Sequence, residues 1–397
     1  MRLVHVNTND AVAHCGIIIN AGTRDEEADE HGLAHLTEHM LFKGTKKRKL
    51  FHIFNRIEDV GGELNAYTNK EETAIYTSFL KNDYERAIEL LSDIISNSTF
   101  PEKELKKEKD VVIDEINSYL DSPAELIFDE FEEQLFKGNS IGRSILGTPK
   151  TIKSFTQNNI IQFVSRNYTA NEMVLFSVGN ISNNHIIRLF NKFFGHLSSA
   201  NAKERKETEK TYIPSIITKR KKTFQSHCIL GTHSYSINDK NRLGMFLLNN
   251  IIGGQGLNSR LNLSLREKNG LVYSVESNYV PYSDTGFFSV YFASDKEYLE
   301  KCLSIIYKEL NKLCVSKLGT IQLSRAKKQA KGYIARSFEN HENMALSMGK
   351  SILSFNKVDS IDDIYAKIDS ITSSQLLEIA NEMLDRSKMS MLIYNQK

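Results

Sequence analysis

The spacing of apolar positions changes period several times along the chain, and each change marks an element. It predicts strands at 2–7 and 11–21, helices at 31–43 and 48–60, then strands at 64–68 and 73–80. Helices dominate from about 84 to 137. The run Met173-Val174-Leu175-Phe176-Ser177-Val178 predicts a further strand, with a helix near 182–195. A polar stretch follows, centred on Lys203-Glu204-Arg205-Lys206-Glu207-Thr208-Glu209-Lys210, and predicts a linker at 199–212. After it the pattern restarts. His227-Cys228 opens a strand as His14-Cys15 does, at an offset of 213 residues, and strand gives way to helix in each copy. This is a diverged internal duplication, with domains at 1–198 and 213–397. Met344, Met348 and Leu353 read as ordinary core on a late helix.

Composition narrows the picture. A chain of 397 residues is long enough for two domains, each with its own core. Net charge of +2 makes no case for nucleic acid or an acidic membrane surface. The basic run Lys219-Arg220-Lys221-Lys222 reads as solvated surface. Cys15, Cys228, Cys302 and Cys314 are scattered in apolar surroundings without C-x-x-C spacing, which predicts buried free thiols in a reducing compartment. No run of about 18 apolar residues is present. The first residues lack a basic stretch followed by an apolar one, so a cytoplasmic setting is the expectation.

The chemistry lies in His35-Leu36-Thr37-Glu38-His39. Two imidazoles four residues apart share one helix face and can reach one metal ion. Glu38 shares that face, so its carboxylate can approach a water beside the metal; H-x-x-E-H is the inverted zinc-peptidase motif. Gly32, Leu33, Ala34, Leu36, Met40, Leu41 and Phe42 make the helix apolar nearly all round, and histidines buried there need partners. A third ligand is expected from elsewhere, because catalytic zinc takes three protein ligands. The segment 102–119 follows Pro101 and reads as a helix, with Leu105, Val111, Val112 and Ile116 on its buried face. Glu108 and Glu115 project from nearly the same side. A carboxylate buried beside Val112 and Ile116 needs a pair or a metal, whereas Glu104 fits solvent. His31 reads as a helix cap or a neighbour of the ligands. Gly253-Gly254-Gln255-Gly256 lacks the spacing of a nucleotide loop and reads as a turn between helices. Carrying the offset forward from His35, Glu38 and His39 gives Leu248, Ile251 and Ile252, so one metal site per chain is expected, in the first copy.

These residues resemble the pitrilysin-type (inverzincin, M16) zinc metallopeptidases, in their half-length bacterial branch similar to mitochondrial processing peptidase. In that family a glutamate ligand follows the motif by about 76 residues, as Glu115 follows His39, and a second glutamate precedes it by seven, as Glu108 does. Gly61-Gly62-Glu63-Leu64-Asn65-Ala66-Tyr67-Thr68, with Glu71 and Thr73, resembles the family's active-site edge strand. Leu265-Arg266-Glu267-Lys268 through Gly270-Leu271-Val272-Tyr273-Ser274 resembles its substrate-contacting segment. Family members usually begin a few residues earlier, with an Asn-Gly turn; this chain opens at Met1-Arg2-Leu3-Val4, and a start upstream of Met1 is an open reading.

The resemblance implies an α+β fold of two similar domains, each a mainly antiparallel sheet packed with helices (LuxS/MPP-like metallohydrolase). It implies a metalloendopeptidase holding one Zn²⁺ per chain on His35, His39 and Glu115. Glu38 would be the base, with Glu108, Arg266 and Tyr273 assisting. Asn65 and Ala66 would bind short or unfolded peptides along with Arg266 and Tyr273. Two chains would form a homodimer, or a heterodimer with a related subunit, around a chamber. The alternative is a non-catalytic or partner-dependent peptide-binding subunit of a processing-peptidase-like complex.

Overall fold

The computed structural model describes residues 1–197, 199, 205, 207, 208 and 212–396. Most of the expected linker at 199–212 lies outside these residues. In the first half the elements are β1 (Arg2–Asn7), β2 (Val12–Ile19), α1 (Leu33–Leu41), α2 (Leu50–Glu58), β3 (Glu63–Thr68), β4 (Thr73–Leu80), α3 (Tyr84–Asn97), α4 (Glu102–Leu120), α5 (Pro123–Leu135), α6 (Pro149–Ser154), α7 (Gln157–Asn167), β5 (Met173–Gly179) and α8 (Asn183–Phe194). The second half contains β6 (Ile216–Lys221), β7 (Ser226–His233), α9 (Arg242–Gly253), β8 (Val275–Pro281), β9 (Gly286–Ser294), α10 (Leu299–Val315), α11 (Thr320–Glu339), α12 (His341–Phe355), α13 (Ile361–Ser370), α14 (Ser373–Met383) and β10 (Ser390–Gln396).

Two five-stranded sheets result, ordered β1-β5-β2-β4-β3 and β6-β10-β7-β9-β8. Replacing each strand of the first order by its counterpart in the second copy reproduces the second. In each sheet one edge pair is parallel, β1 with β5 and β6 with β10, and the remaining pairs are antiparallel. The duplication is therefore carried by the topology as well as by the His-Cys pair. Leu248 and Ile252, the aliphatic counterparts of His35 and His39, are buried on α9.

Compact units do not follow the chain's halves. One comprises 1–118, 143–206 and 336–358; the other comprises 119–142, 207–335 and 359–397. Each half thus sends one helix to the other half's sheet. In the first unit, Ala13, Cys15, Ile17 and Ile19 of β2 face the core shared with α1 and α3, as alternation requires. Ile18 points the other way, with Ala74, Val174, Phe176 and Val178, and this second face is covered by Ala345 and Met348 of α12. Gly349 allows the close approach, since a Cβ there would lie 2.7 Å from the Phe176 ring. β5 is buried on both faces and reads as a continuous apolar strand for that reason. The second unit repeats the arrangement: Ile127 and Phe131 of α5 cover Ile229, Tyr291 and Leu392. Each such buried aliphatic or aromatic side chain contributes about 1.5–3 kcal/mol. The late-helix residues Met344, Met348 and Leu353 are core or pack against it, on the first unit's sheet.

The four cysteines are free; Cys15, Cys228 and Cys302 are buried, but Cys314 is only half-buried. Among the described residues no helix is long and apolar enough to cross a membrane.

Candidate metal centre

α1 starts abruptly. Gly32 adopts φ +94°, a left-handed conformation that glycine tolerates, and a Cβ there would strike Gly147 and the Leu146 carbonyl. The helix's free N–H groups are met from a distance in sequence. Glu26 is buried and accepts Gly32 N–H at 3.1 Å and Ala34 N–H at 2.9 Å. Burial pushes the Glu26 carboxyl up to about 8, with the Ala34 and Gly32 bonds and Arg143 pulling it back. His31, expected as a cap or a neighbour of the ligands, directs its Nε2 to the Ser144 carbonyl at 2.9 Å. Glu26 performs the capping. Glu26→Ala should cost about 1–3 kcal/mol, because it strands buried backbone donors. Glu26→Gln should cost less, since an amide oxygen still accepts. Urea denaturation compares them, and an Ala variant as stable as the parent would discard this role for Glu26.

From that start, α1 sets His35 and His39 one turn apart, with ring centroids 4.7 Å apart. One ligand atom each from His35, His39 and Glu115 lies within 4.8 Å of the others. Glu115 Oε1 stands 3.9 Å from His35 Nε2, and Oε2 stands 3.8 Å from His39 Nε2. Ligand atoms about 2.0–2.2 Å from a tetrahedral zinc are ~3.4 Å apart, so small side-chain rotations would close the three on one ion. His35 supports the fit in another way. Burial, then the charge of His39, lowers its pKa to about 3, so the ring is neutral and Nε2, the nitrogen that faces Glu115, can offer a lone pair. The donor set of two imidazoles and one carboxylate suits zinc.

Glu115, expected to be buried, is not: its side chain is 44% exposed. It sits beyond the buried stripe of α4 (Leu105, Val112, Ile116), at the solvent edge of the two histidines. Glu108, one face-repeat earlier, is the buried carboxylate. It accepts from His39 Nδ1 at 3.1 Å and from Lys43 Nζ at 2.6 Å. Burial raises the Glu108 carboxyl's pKa, but these two partners outweigh it and the net shift is downward. With Nδ1–H donated to Glu108, His39 presents Nε2 toward Glu115. Burial lowers the His39 pKa, yet the Glu108 bond and the charges of Glu38, Glu108 and Glu115 raise it overall. Lys43 carried no signal in the sequence, as it lies one turn past the motif among ordinary surface lysines.

Glu38 is half-buried on the same helix. Burial raises its carboxyl above the usual range and Glu115 adds to this, while a Thr68 hydroxyl bond and His39 oppose. Thr68 ends β3, the edge strand beside α1. Asn65 and Ala66 lie mid-strand, opposite Tyr76 and Ile75 of β4, and point to opposite faces. Asn65 is exposed, whereas Ala66 packs on the first unit's core.

Arg266 and Tyr273 belong to the second unit. The Arg266 guanidinium lies 5.8 Å from the Tyr273 ring centroid, and Tyr273 is 83% exposed in the loop before β8. Gly253 ends α9, and the glycine-rich segment after it is a turn.

Known proteins resemble this chain over nearly its whole length. Residues 2–149 match the family described as "Insulinase (Peptidase family M16)", and residues 154–330 match "Peptidase M16 inactive domain". A Bacillus subtilis protein named "uncharacterized zinc protease YmxG" is 32% identical over 373 residues, covering 93% of this chain and 89% of that protein. The Saccharomyces cerevisiae mitochondrial-processing peptidase subunit beta is 27% identical over 399 residues, covering 97% and 86%. A protease from Helicobacter pylori has the same fold, with a TM-score of 0.92 at 20% identity over 99% of this chain and 96% of that one. The chain belongs to the M16 peptidase family, in the half-length branch whose relatives are named zinc proteases and processing-peptidase beta subunits.

Proposed function

We propose that the chain is a zinc-dependent metalloendopeptidase, with His35, His39 and Glu115 as the metal ligands. The observation that carries this reading is the convergence of those three side chains from two helices beside the raised Glu38 carboxyl. Zinc held there would lower the pKa of a coordinated water toward about 7 and polarise the scissile carbonyl. Glu38 takes a proton from the attacking water and returns it to the leaving amine. Glu108 fixes the His39 ring through Nδ1 and keeps its other nitrogen for the metal. The free edge of β3 suits an extended peptide, which would add as a strand along Asn65 and Ala66 through backbone bonds. Such recognition favours short or unfolded segments.

Purified protein should cleave a quenched-fluorescent peptide library, and a chelator should abolish the cleavage until zinc is returned. No cleavage by the zinc-loaded protein would reject a self-sufficient enzyme. It would favour the second reading, a subunit that needs a partner, which the similarity to a processing-peptidase beta subunit supports.

Arg266 and Tyr273 complete the proposal. Both are exposed and outside the unit that holds the histidines, so they are free to serve a substrate from another chain. In this reading two copies pair, and each lends these residues to the other's zinc site. Mixed Glu38→Gln and Arg266→Ala proteins should then regain part of the activity that each lacks alone. Absence of rescue despite demonstrated subunit exchange would refute the shared site.

A further inference from the structure

A cavity of about 320 Å³ in the second unit has no part in the chemistry above. It lies between the C-terminal end of α9, the loop after it and α11. Its lining includes Asn250, Asn258, Ser259, Arg260, Arg325 and Lys328, and no carboxylate. Three cations therefore surround one pocket without an acid inside it.

Among the described residues, Arg260, Arg325 and Lys328 form no ion pair, whereas Lys331 on α11 pairs with the Asp369 carboxylate and Lys327 donates to the Asp369 backbone carbonyl. Arg260 is half-buried, and burial depresses its pKa, opposed only by the charge of Glu309. That glutamate is already paired with Lys312 at 2.6 Å. A guanidinium withdrawn from water without a bonded carboxylate is a costly arrangement unless an anion joins it. Ser259 gives a second, independent sign. It is only 5% exposed, it lines the cavity, and its buried hydroxyl has no hydrogen-bond partner among the described residues.

We infer that this cavity binds a phosphoryl oxyanion, free or esterified, held by Arg260, Arg325 and Lys328 with Ser259 and the Asn250 and Asn258 amides as further donors. Three positive groups and no acid match a ligand of two or more negative charges better than a single carboxylate. Guanidinium forks suit phosphate oxygens, and lysine adds a point charge. Asn250 and Ser259 also line the adjoining cavity that contains Arg266, so an occupant would be felt there. The inference concerns binding alone and stands whether or not the first unit hydrolyses peptides.

Calorimetric titration of the intact protein with inorganic phosphate, adenosine diphosphate and succinate at matched ionic strength tests it. Saturable one-to-one binding of phosphate or of the diphosphate is expected, and the tighter of the two identifies the free or the esterified source. The double variant Arg325→Gln, Lys328→Gln changes only exposed side chains, so its fold is safe. It should bind about tenfold more weakly or worse. Arg260→Gln should remove binding while circular dichroism stays unchanged. Absence of saturable heat in the parent, equal affinity in the double variant, or succinate binding as tightly as phosphate would each overturn the assignment.

Discussion

Glu38→Gln should reduce peptide turnover by about 10²–10⁴-fold, the range for removing a general base, and leave zinc content unchanged. The amide keeps the shape of the side chain and its contact with Thr68, but it cannot take a proton. Glu38 is outside the group of three that could hold the ion, so metal retention is part of the expectation. Its surroundings suit proton transfer, because burial and the nearby Glu115 raise its carboxyl, and the phenols of Tyr76 and Tyr168 feel its charge. Turnover and zinc content should be measured on the same preparation. Unchanged turnover would remove Glu38 from the mechanism; lost zinc would show that it acts on the ion instead.

Glu108→Gln comes next in size. It should weaken zinc binding by about 10–100-fold, the usual effect of losing a partner that orients a ligand histidine. Glutamine can still accept from His39 Nδ1, but it loses the negative charge and the 2.6 Å pair with Lys43. The ring is then held less firmly, and Lys43 loses its ion-pair partner at Glu108. Competition with a chromogenic chelator reads the affinity directly. If the variant binds zinc as tightly as the parent, Glu108 serves only to pair Lys43.

Local periodicity placed the elements of the first half, while the fold class followed from the family resemblance and the second half was read only as a restart of the pattern. β4 alternates, α4 repeats its apolar face every three to four residues, and the duplication was visible in one His-Cys pair because both copies keep a strand there. Of the candidate site, helix spacing made His35, Glu38 and His39 legible, and the family resemblance supplied Glu115 and the others. The features that stayed hidden depend on tertiary placement. Glu26 reaches the start of α1 across a loop, so no spacing rule links the two. The pattern of α4 places Glu115 with Val112 and Ile116, but a residue at the edge of a helix stripe can turn outward, and here it does. Met344, Met348 and Leu353 of α12 read as core, but nothing in the sequence named the sheet they would pack on. Amphipathicity specifies a partner's chemistry and not its address.

That last ambiguity has a historical side. α5 lies on β7 and β10, and α12 lies on β2 and β5, the corresponding strands of the two copies. A single ancestral copy with this pattern would have had to trade the helix with a twin to cover its own sheet. On one chain that trade is intramolecular and does not depend on concentration. The two halves can then drift apart in sequence, one keeping histidines where the other keeps aliphatics, and still remain obligate companions. Expressed separately, residues 1–197 and 212–397 should be insoluble; co-expressed, they should assemble. Independent folding of either fragment would contradict that mutual dependence.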